Sequence, residues 1–290
     1  MIEAYFIHLL ILIGIYIILS ISLQLSIGFT GAFNLGHIAF FAIGAYVSAL
    51  LVLNGWPFII AIILAGVLAA IFGFILAIPT HKLKGDYLAL ATLGFSFVIY
   101  AITLNWVELT RGPLGLPGIP KPDIFGVVFS DNLLFLILTL AIATVSYLVI
   151  LRIVKSPFGR ALGAIRDDEL AAKVMGKDSF KLKSVSLATA AFFAGIAGSL
   201  YAHYITFIDP SSFTFLQLIP LLAIVIIGGL ASLEGTIIAT IIIVLLPEPL
   251  RFMGFPSSVV GPARQIIYAL LLLAILLLRP KGLMGKIKLE

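Results

Sequence analysis

The sequence predicts an all-α fold, a polytopic bundle of transmembrane helices, and three observations carry that expectation. Hydrophobic residues make up 62% of the 290 positions and charged residues only 11%, with a mean hydropathy of +1.23, too apolar for a water-soluble globule of this length. Apolar runs approaching the roughly 20 residues that a helix needs to cross the hydrocarbon recur from one end to the other. The polar connections between them are too short to fold as soluble domains, so residues 1–290 read as one transmembrane domain.

The runs fall near 4–24, 37–53, 57–79, 87–104, 132–151, 184–207, 213–228, 235–246 and 264–278, nine apolar segments in all. The first has no basic segment before it and no small-residue cleavage site after it, so it reads as a retained span and not as a signal peptide. Between the first and second lies the glycine-rich segment Gly28 to His37, GFTGAFNLGH. The run at 235–246 has about a dozen apolar residues before Pro247-Glu248-Pro249, short of the roughly 17 that a perpendicular span requires. With 213–228 it can form a broken pair around GGLASLEG, Gly228 to Gly235, which gives seven to nine full spans. Transporters build solute paths from such interrupted helices, and glycines equally close ordinary turns or let helices pack closely. A short internal echo, Ala39-Phe40-Phe41-Ala42 against Ala191-Phe192-Phe193-Ala194, opens two helices expected to run in the same direction.

The net charge of +5 and fourteen Lys and Arg residues on one set of alternate connections against four on the other fix the expected orientation. By the positive-inside rule the richer side, with residues 82–84, 152–183 and 279–288, is cytoplasmic, the N-terminus outside and the C-terminus inside. Excess basic charge in a membrane chain reports topology, so no nucleic-acid partner is expected.

The segment from Arg152 to Lys183 is the main polar interruption. Asp167-Asp168-Glu169 can open a helix, Leu170, Ala171, Val174 and Met175 fall on one face of it, and Gly176 is placed to end it. A short amphipathic helix on the inner face of a membrane protein suggests a soluble partner. Glu169 and Lys173 stand at i,i+4, a pair worth about 0.2 to 0.5 kcal/mol.

The chemistry missing from the sequence narrows the function. There is no cysteine, and the four histidines show no metal-ligand spacing, so no metal site is expected. No phosphate loop is present; GLMGKI at Gly282 to Ile287 lacks both the spacing and the hydroxyl that would hold magnesium. No catalytic constellation is present either, so any ATP is hydrolysed by other chains. His8 and His203 have no evident acidic partner for a proton relay, which makes a packing role the simpler reading. A path lined by apolar side chains, hydroxyls, amides and backbone suits an uncharged or zwitterionic solute better than an ion.

Six motifs in order give the chain a family resemblance. They are GFTGAFNLGHIAFFAIGAYVSALL from Gly28, TRGPLGLPGIP from Thr110, SPFGRALGAIRDDELAAKVMGKD from Ser156, FFAGIAGSLYAHYITFIDPSSFTFLQ ending at Gln217, AIVIIGGLASLEG ending at Gly235, and LLLRPKGLMG ending at Gly285. The sequence resembles the permease subunits of ATP-binding-cassette importers, within them the branched-chain amino-acid permeases of the LivM type. The resemblance implies a multi-pass permease in the cytoplasmic membrane of a prokaryote, carrying branched-chain or other hydrophobic amino acids. It also implies two cytoplasmic ATPase subunits binding Mg-ATP, a second homologous permease and an extracytoplasmic solute-binding protein, with no cofactor on this chain. Arg160, Arg166, Glu169, Leu170, Ala171, Ala172, Val174 and Gly176 become the ATPase-coupling residues. Relative to the Glu-Ala-Ala-x-x-x-Gly of many importers this chain carries Leu170 as an insertion. Asn34, His37 and Gln217 are the expected path-lining residues. The loop Thr110 to Pro120 either receives the binding protein or acts as a rigid connector. The rivals are a permease of the same type for urea, a sugar or a nucleoside, a secondary carrier or channel, and a membrane scaffold.

Overall fold

The apolar runs emerge as helices whose ends follow from local capping chemistry. The computed structural model describes residues 2–83, 85–124, 126–248, 266–274, 277 and 281–285. In chain order the helices are α1 Ile2–Gln24, α2 His37–Leu53, α3 Phe58–Thr80, α4 Gly85–Asn105, the single turn α5 Val107–Thr110, α6 Asn132–Lys155, α7 Pro157–Asp167, α8 Glu169–Val174, α9 Ser179–Ile205, α10 Leu218–Gly228 and α11 Leu233–Leu245. Of the run expected at 264–278, residues 266–274 and 277 are helical. Its remaining positions lie outside the described residues, as do Lys84, Arg251, Arg264, Arg279, Lys286 and Lys288 of the charge count.

Two boundaries differ from expectation. The run expected from 184 begins at Ser179, because the Asp178 carboxylate accepts the Lys181 amide and caps the helix across Lys181 and Lys183, which hydropathy excludes. The run expected at 213–228 splits into 3₁₀ turns Pro210–Phe213 and Phe215–Gln217 followed by an α-helix of 11 residues.

Among the described residues, five helical segments are long and apolar enough to span a bilayer, Glu3–Phe29, Phe58–Thr80, Gly85–Asn105, Asn132–Lys155 and Ser179–Ile205, with three shorter apolar helices besides them. The outside of the bundle is as apolar as its inside. Along α3, Ile63, Ile71, Phe74 and Ile78 are each between 44% and 52% exposed, a stripe at helical spacing that water would not tolerate. Trp56 and Trp106, both exposed, sit at helix ends, where interfacial tryptophans are enriched. This is a membrane protein.

Helices α2, α3 and α9 form the centre, and small residues let them meet. A Cβ on Gly44 would lie 2.2 Å from the Gly195 carbonyl oxygen, and one on Gly198 would lie 2.0 Å from that of Phe41. Backbones this close gain dispersion contacts that larger residues forbid. The two echoed tetrapeptides thus lie on helices that pack against each other, but only the first stands at a helix start, since Ala191–Ala194 falls in the middle of α9. One polar cluster in this core is fully paired: Ser48 bonds Ser199 at 2.6 Å and His203 at 2.9 Å, and His203 Nδ1 lies 2.7 Å from the Pro120 carbonyl. A carbonyl only accepts, so Nδ1–H donates to Pro120 and Nε2 accepts from Ser48.

His203 therefore pins the end of the loop Thr110 to Pro120. The same loop pairs Leu116–Pro117 antiparallel with Phe207–Ile208 and donates its Ile119 amide to the Thr206 carbonyl at 3.1 Å. It is held rigidly against the segment that follows α9. A second two-residue pairing joins Asp123–Ile124 to Val127–Val128.

Candidate functional site

The polar interruption folds as two short helices at a sharp corner. Ser156 caps α7 by accepting the Gly159 amide, with Pro157 in the first turn, where its missing N–H costs nothing. Leu162 and Ile165 bury the inner face of α7. Asp168 is extended, at φ −152° and ψ 105°, and its carboxylate accepts the Leu170 and Ala171 amides at 2.9 and 3.0 Å, which starts α8 in a new direction. Gly176, at φ +79°, ends it. Its amide donates to Lys173 and the Lys177 amide to Ala172, at 2.9 and 3.0 Å, the paired bonds of a Schellman motif.

Burial divides α8 into two faces. Ala172 is 3% exposed, whereas Leu170, Val174 and Met175 are 66%, 89% and 79% exposed, and Ala171 lies on the exposed side with them. Glu169 anchors the helix from below, bridging Lys173 at 3.0 Å and Lys183 of α9 at 2.8 Å. Burial alone would raise its pKa, but the hydrogen bonds from Lys183 and Lys173 and the Lys183 charge prevail and hold the carboxyl down at about 2. Three apolar side chains thus stand outward on a helix clamped through its own carboxylate.

The candidate coupling arginines point in different directions. Arg160 is exposed and its guanidinium donates to the Lys155 carbonyl at 3.2 Å. Arg166 turns into the bundle: it pairs with Asp167 at 2.8 Å and donates to the Gly28 carbonyl at 3.0 Å. Gly28 belongs to a π-helical turn, Leu25–Phe29, that closes α1, a distortion found mostly at functional sites. Below this junction a cleft of about 360 Å³ runs among Thr30, Gly31, Leu83, Arg166, Glu169 and Lys183.

The two glycine-rich breaks, about 200 residues apart in sequence, meet here. Gln24 Nε2 donates to the Gly229 and Ser232 carbonyls at 2.6 and 3.3 Å, and a Cβ on Gly28 would lie 2.7 Å from the Ala231 amide nitrogen. Ala231 itself adopts φ +59°, a left-handed conformation that costs a non-glycine residue roughly 1–2 kcal/mol. Residues 281–285 close over the same turn through Leu283 N–H to Ile227 O at 2.7 Å and Met284 N–H to Gly228 O at 3.1 Å. Four of the six motifs, separate in sequence, therefore converge at one end of the bundle.

The expected path-lining residues are not brought together. His37 is fully buried, its Nε2 within 2.9 Å of Ser22 and 3.1 Å of the Leu19 carbonyl. Asn34 is 1% exposed and its Oδ1 accepts the Gly36 amide at 2.9 Å. Gln217 is exposed and lines a cleft of about 140 Å³ with Tyr16, Ile224, Glu248 and Tyr268. Sequence reasoning missed Lys183 as the partner of Glu169 and Gly28 as the partner of Arg166. A partner 14 or 138 positions away leaves no local signal.

Comparison with known proteins places this geometry in a family. Residues 5–278 match the family described as branched-chain amino acid transport system / permease component. The chain is 37% identical to the high-affinity branched-chain amino acid transport system permease protein LivM of Escherichia coli, over 93% of its own length and 68% of that protein's. It is 29% identical to a probable branched-chain amino acid transport permease protein LivM of Methanocaldococcus jannaschii, over 95% and 92% of the two chains. The guanosine ABC transporter permease protein NupQ of Bacillus subtilis is 25% identical over 60% of this chain and 59% of its own. No solved structure matches. With the family match spanning nearly the whole chain, this protein belongs to the branched-chain amino acid transport system permease components.

Proposed function

We propose that the chain is one permease subunit of an ATP-binding-cassette importer that moves branched-chain or other hydrophobic amino acids inward across a prokaryotic cytoplasmic membrane. It pairs with a second homologous permease, receives solute from an extracytoplasmic binding protein, and is driven by two ATPase subunits that hydrolyse Mg-ATP. The charge distribution supports an outside N-terminus and an inside C-terminus, with α7 and α8 on the cytoplasmic face.

The observation that carries this reading is the exposed apolar face of α8, Leu170, Val174 and Met175. Solvated helices seldom present such a face, and a rigid one is what an ATPase cleft would seat. Arg166 gives movement of this element a direct route to α1 through the Gly28 carbonyl, and Gln24 extends the route to the turn at Gly229. ATP-driven movement of α8 then favours one of two arrangements of the helices around the path, through contacts that differ between the two states.

The test is uptake in proteoliposomes holding both permeases, the ATPases and the binding protein. Leucine accumulation that requires ATP and every subunit is expected. Accumulation without ATPase subunits would instead indicate a secondary carrier or channel. The guanosine permease among the relatives makes a nucleoside the competing solute, and uptake of guanosine in preference to leucine would favour it.

A further inference from the structure

The most unusual backbone in the bundle lies where a hydrocarbon environment should forbid it. The two 3₁₀ turns Pro210–Phe213 and Phe215–Gln217 are separated by an extended Thr214, at φ −78° and ψ 163°. Their depth follows from their contacts: the Phe213 ring stands 5.5 Å from Phe41, 5.8 Å from Tyr46 and 6.2 Å from Tyr201. Phe41 and Tyr46 straddle the middle of α2. On the other side, residues 213–216 face Ser96, Phe97 and Tyr100 in the middle of α4. Irregular backbone at this level is stable only inside protein or beside water. Yet Phe215 and Leu216 are 38% and 50% exposed, as is Phe97 at 55%. This surface therefore faces water or a partner chain and not lipid, and its chemistry favours an aqueous path.

Its shape and chemistry fit one kind of solute. Phe97, Tyr100, Phe213, Phe215 and Leu216 wall a groove of about 220 Å³, which Ser96 and Thr214 also line. One 3₁₀ turn away stands Asp209, whose carboxylate accepts the Ser211 and Ser212 hydroxyls and the Ser212 amide. Among the described residues no lysine or arginine pairs with it. Phe213, which closes that turn, packs its ring against Tyr46 and Tyr201. Tyr46 is 4% exposed and its hydroxyl makes no hydrogen bond among the described residues. A lone carboxylate, a buried unpaired hydroxyl and an apolar groove, gathered around the turn from Asp209 to Phe213, complement an ammonium group carrying an aliphatic side chain.

We propose that Asp209 and Tyr46 receive the ammonium group of the amino acid in transit, and that its aliphatic side chain lies in the groove between α4 and residues 213–216. The site rests on the importer reading above. It also gives the loop Thr110 to Pro120 a task, since its strand pairs with Phe207–Ile208 immediately before Asp209 and so fixes the carboxylate in place.

The test uses the complete transporter in proteoliposomes. Cysteine is introduced in this otherwise cysteine-free chain as L216C in the groove or I63C on the exposed stripe of α3, and is probed with a charged methanethiosulfonate reagent. Rapid modification of L216C but not I63C is expected, slowed about tenfold by leucine and not by acetate, which lacks the ammonium group, with D209N abolishing the protection. A silent L216C would mean that the partner permease covers the groove. Modification without protection by leucine, or protection retained in D209N, would likewise overturn the assignment. ATP-driven leucine uptake by the unaltered transporter is measured in parallel. Loss of that uptake refutes the importer reading itself, whereas intact uptake with an unprotected L216C refutes only the site.

Discussion

Arg166 donates to the carbonyl of Gly28 across 3.0 Å, joining the last turn of α7 to the π-turn that ends α1. The carbonyl is available because π-turn geometry disturbs the regular helical ladder there. The aliphatic stem of Arg166 fills the space beside Gly31, where a Cβ would stand 2.7 Å from its Cγ. Arg166 thus ties α7, next to α8, to the end of α1 within the permease itself.

Replacing Arg166 with alanine removes a hydrogen bond from a charged donor, worth roughly 1.5–3 kcal/mol, and opens the contact with Gly31. R166A is expected to protect the amides of α7 and α8 less in hydrogen exchange and to lower leucine uptake per ATP hydrolysed. R166K keeps the charge but loses the planar fork and should fall between. Unchanged exchange and coupling in R166A would show that the bond carries no movement.

Glu169 gives α8 a defined acid sensitivity. Its carboxyl is held at about 2 against an ordinary 4.5, chiefly by Lys183 and Lys173 overcoming burial. A depressed carboxylate contributes stability that is fully present above the ordinary value and is lost as pH falls through the depressed one. Protection factors of the α8 amides, corrected for the intrinsic pH dependence of exchange, should therefore be flat above pH 4.5 and fall from there towards pH 2, and E169Q should remove that dependence.

Gly176 ends α8 at φ +79°, a conformation that costs a side-chain-bearing residue about 1–2 kcal/mol. G176V should unwind the Schellman motif and weaken ATPase association with little effect on the unfolding temperature of the membrane bundle. G176N, which tolerates this conformation better, should retain most of the association.

Packing at the centre makes an opposite forecast. Gly44 and Gly195 approach so closely that a Cβ on the former meets the latter's carbonyl at 2.2 Å. G44L should separate α2 from α9 and prevent recovery of folded protein in detergent, whatever the state of the docking helix.

The long helices were legible because hydrocarbon length and hydropathy act on each run independently of its neighbours. The start and stop of α8 were legible for a similar reason, since Asp168 and Gly176 act within a few residues of the helix they bound. The region after Ile208 was not. Phe213 to Gln217 reads as the start of an apolar run, and hydropathy does not distinguish a 3₁₀ turn exposed at a groove from an α-helix. Nor does polarity reveal direction: His37 Nε2 turns to Ser22 and Leu19 and Asn34 Oδ1 to Gly36, while Gln24, inside a run, ties the two glycine breaks together. The meeting of those breaks is tertiary, set by how α1 packs against α10 and α11.

The role of α8 is tested most directly by disulfide trapping. V174C lies at a position 89% exposed and is paired in turn with cysteines lining the docking cleft of the ATPase subunits. Docking through α8 predicts a permease–ATPase disulfide that blocks ATP-driven leucine uptake, with both effects reversed by reductant. Absence of any such disulfide in a transporter that still imports leucine would contradict it.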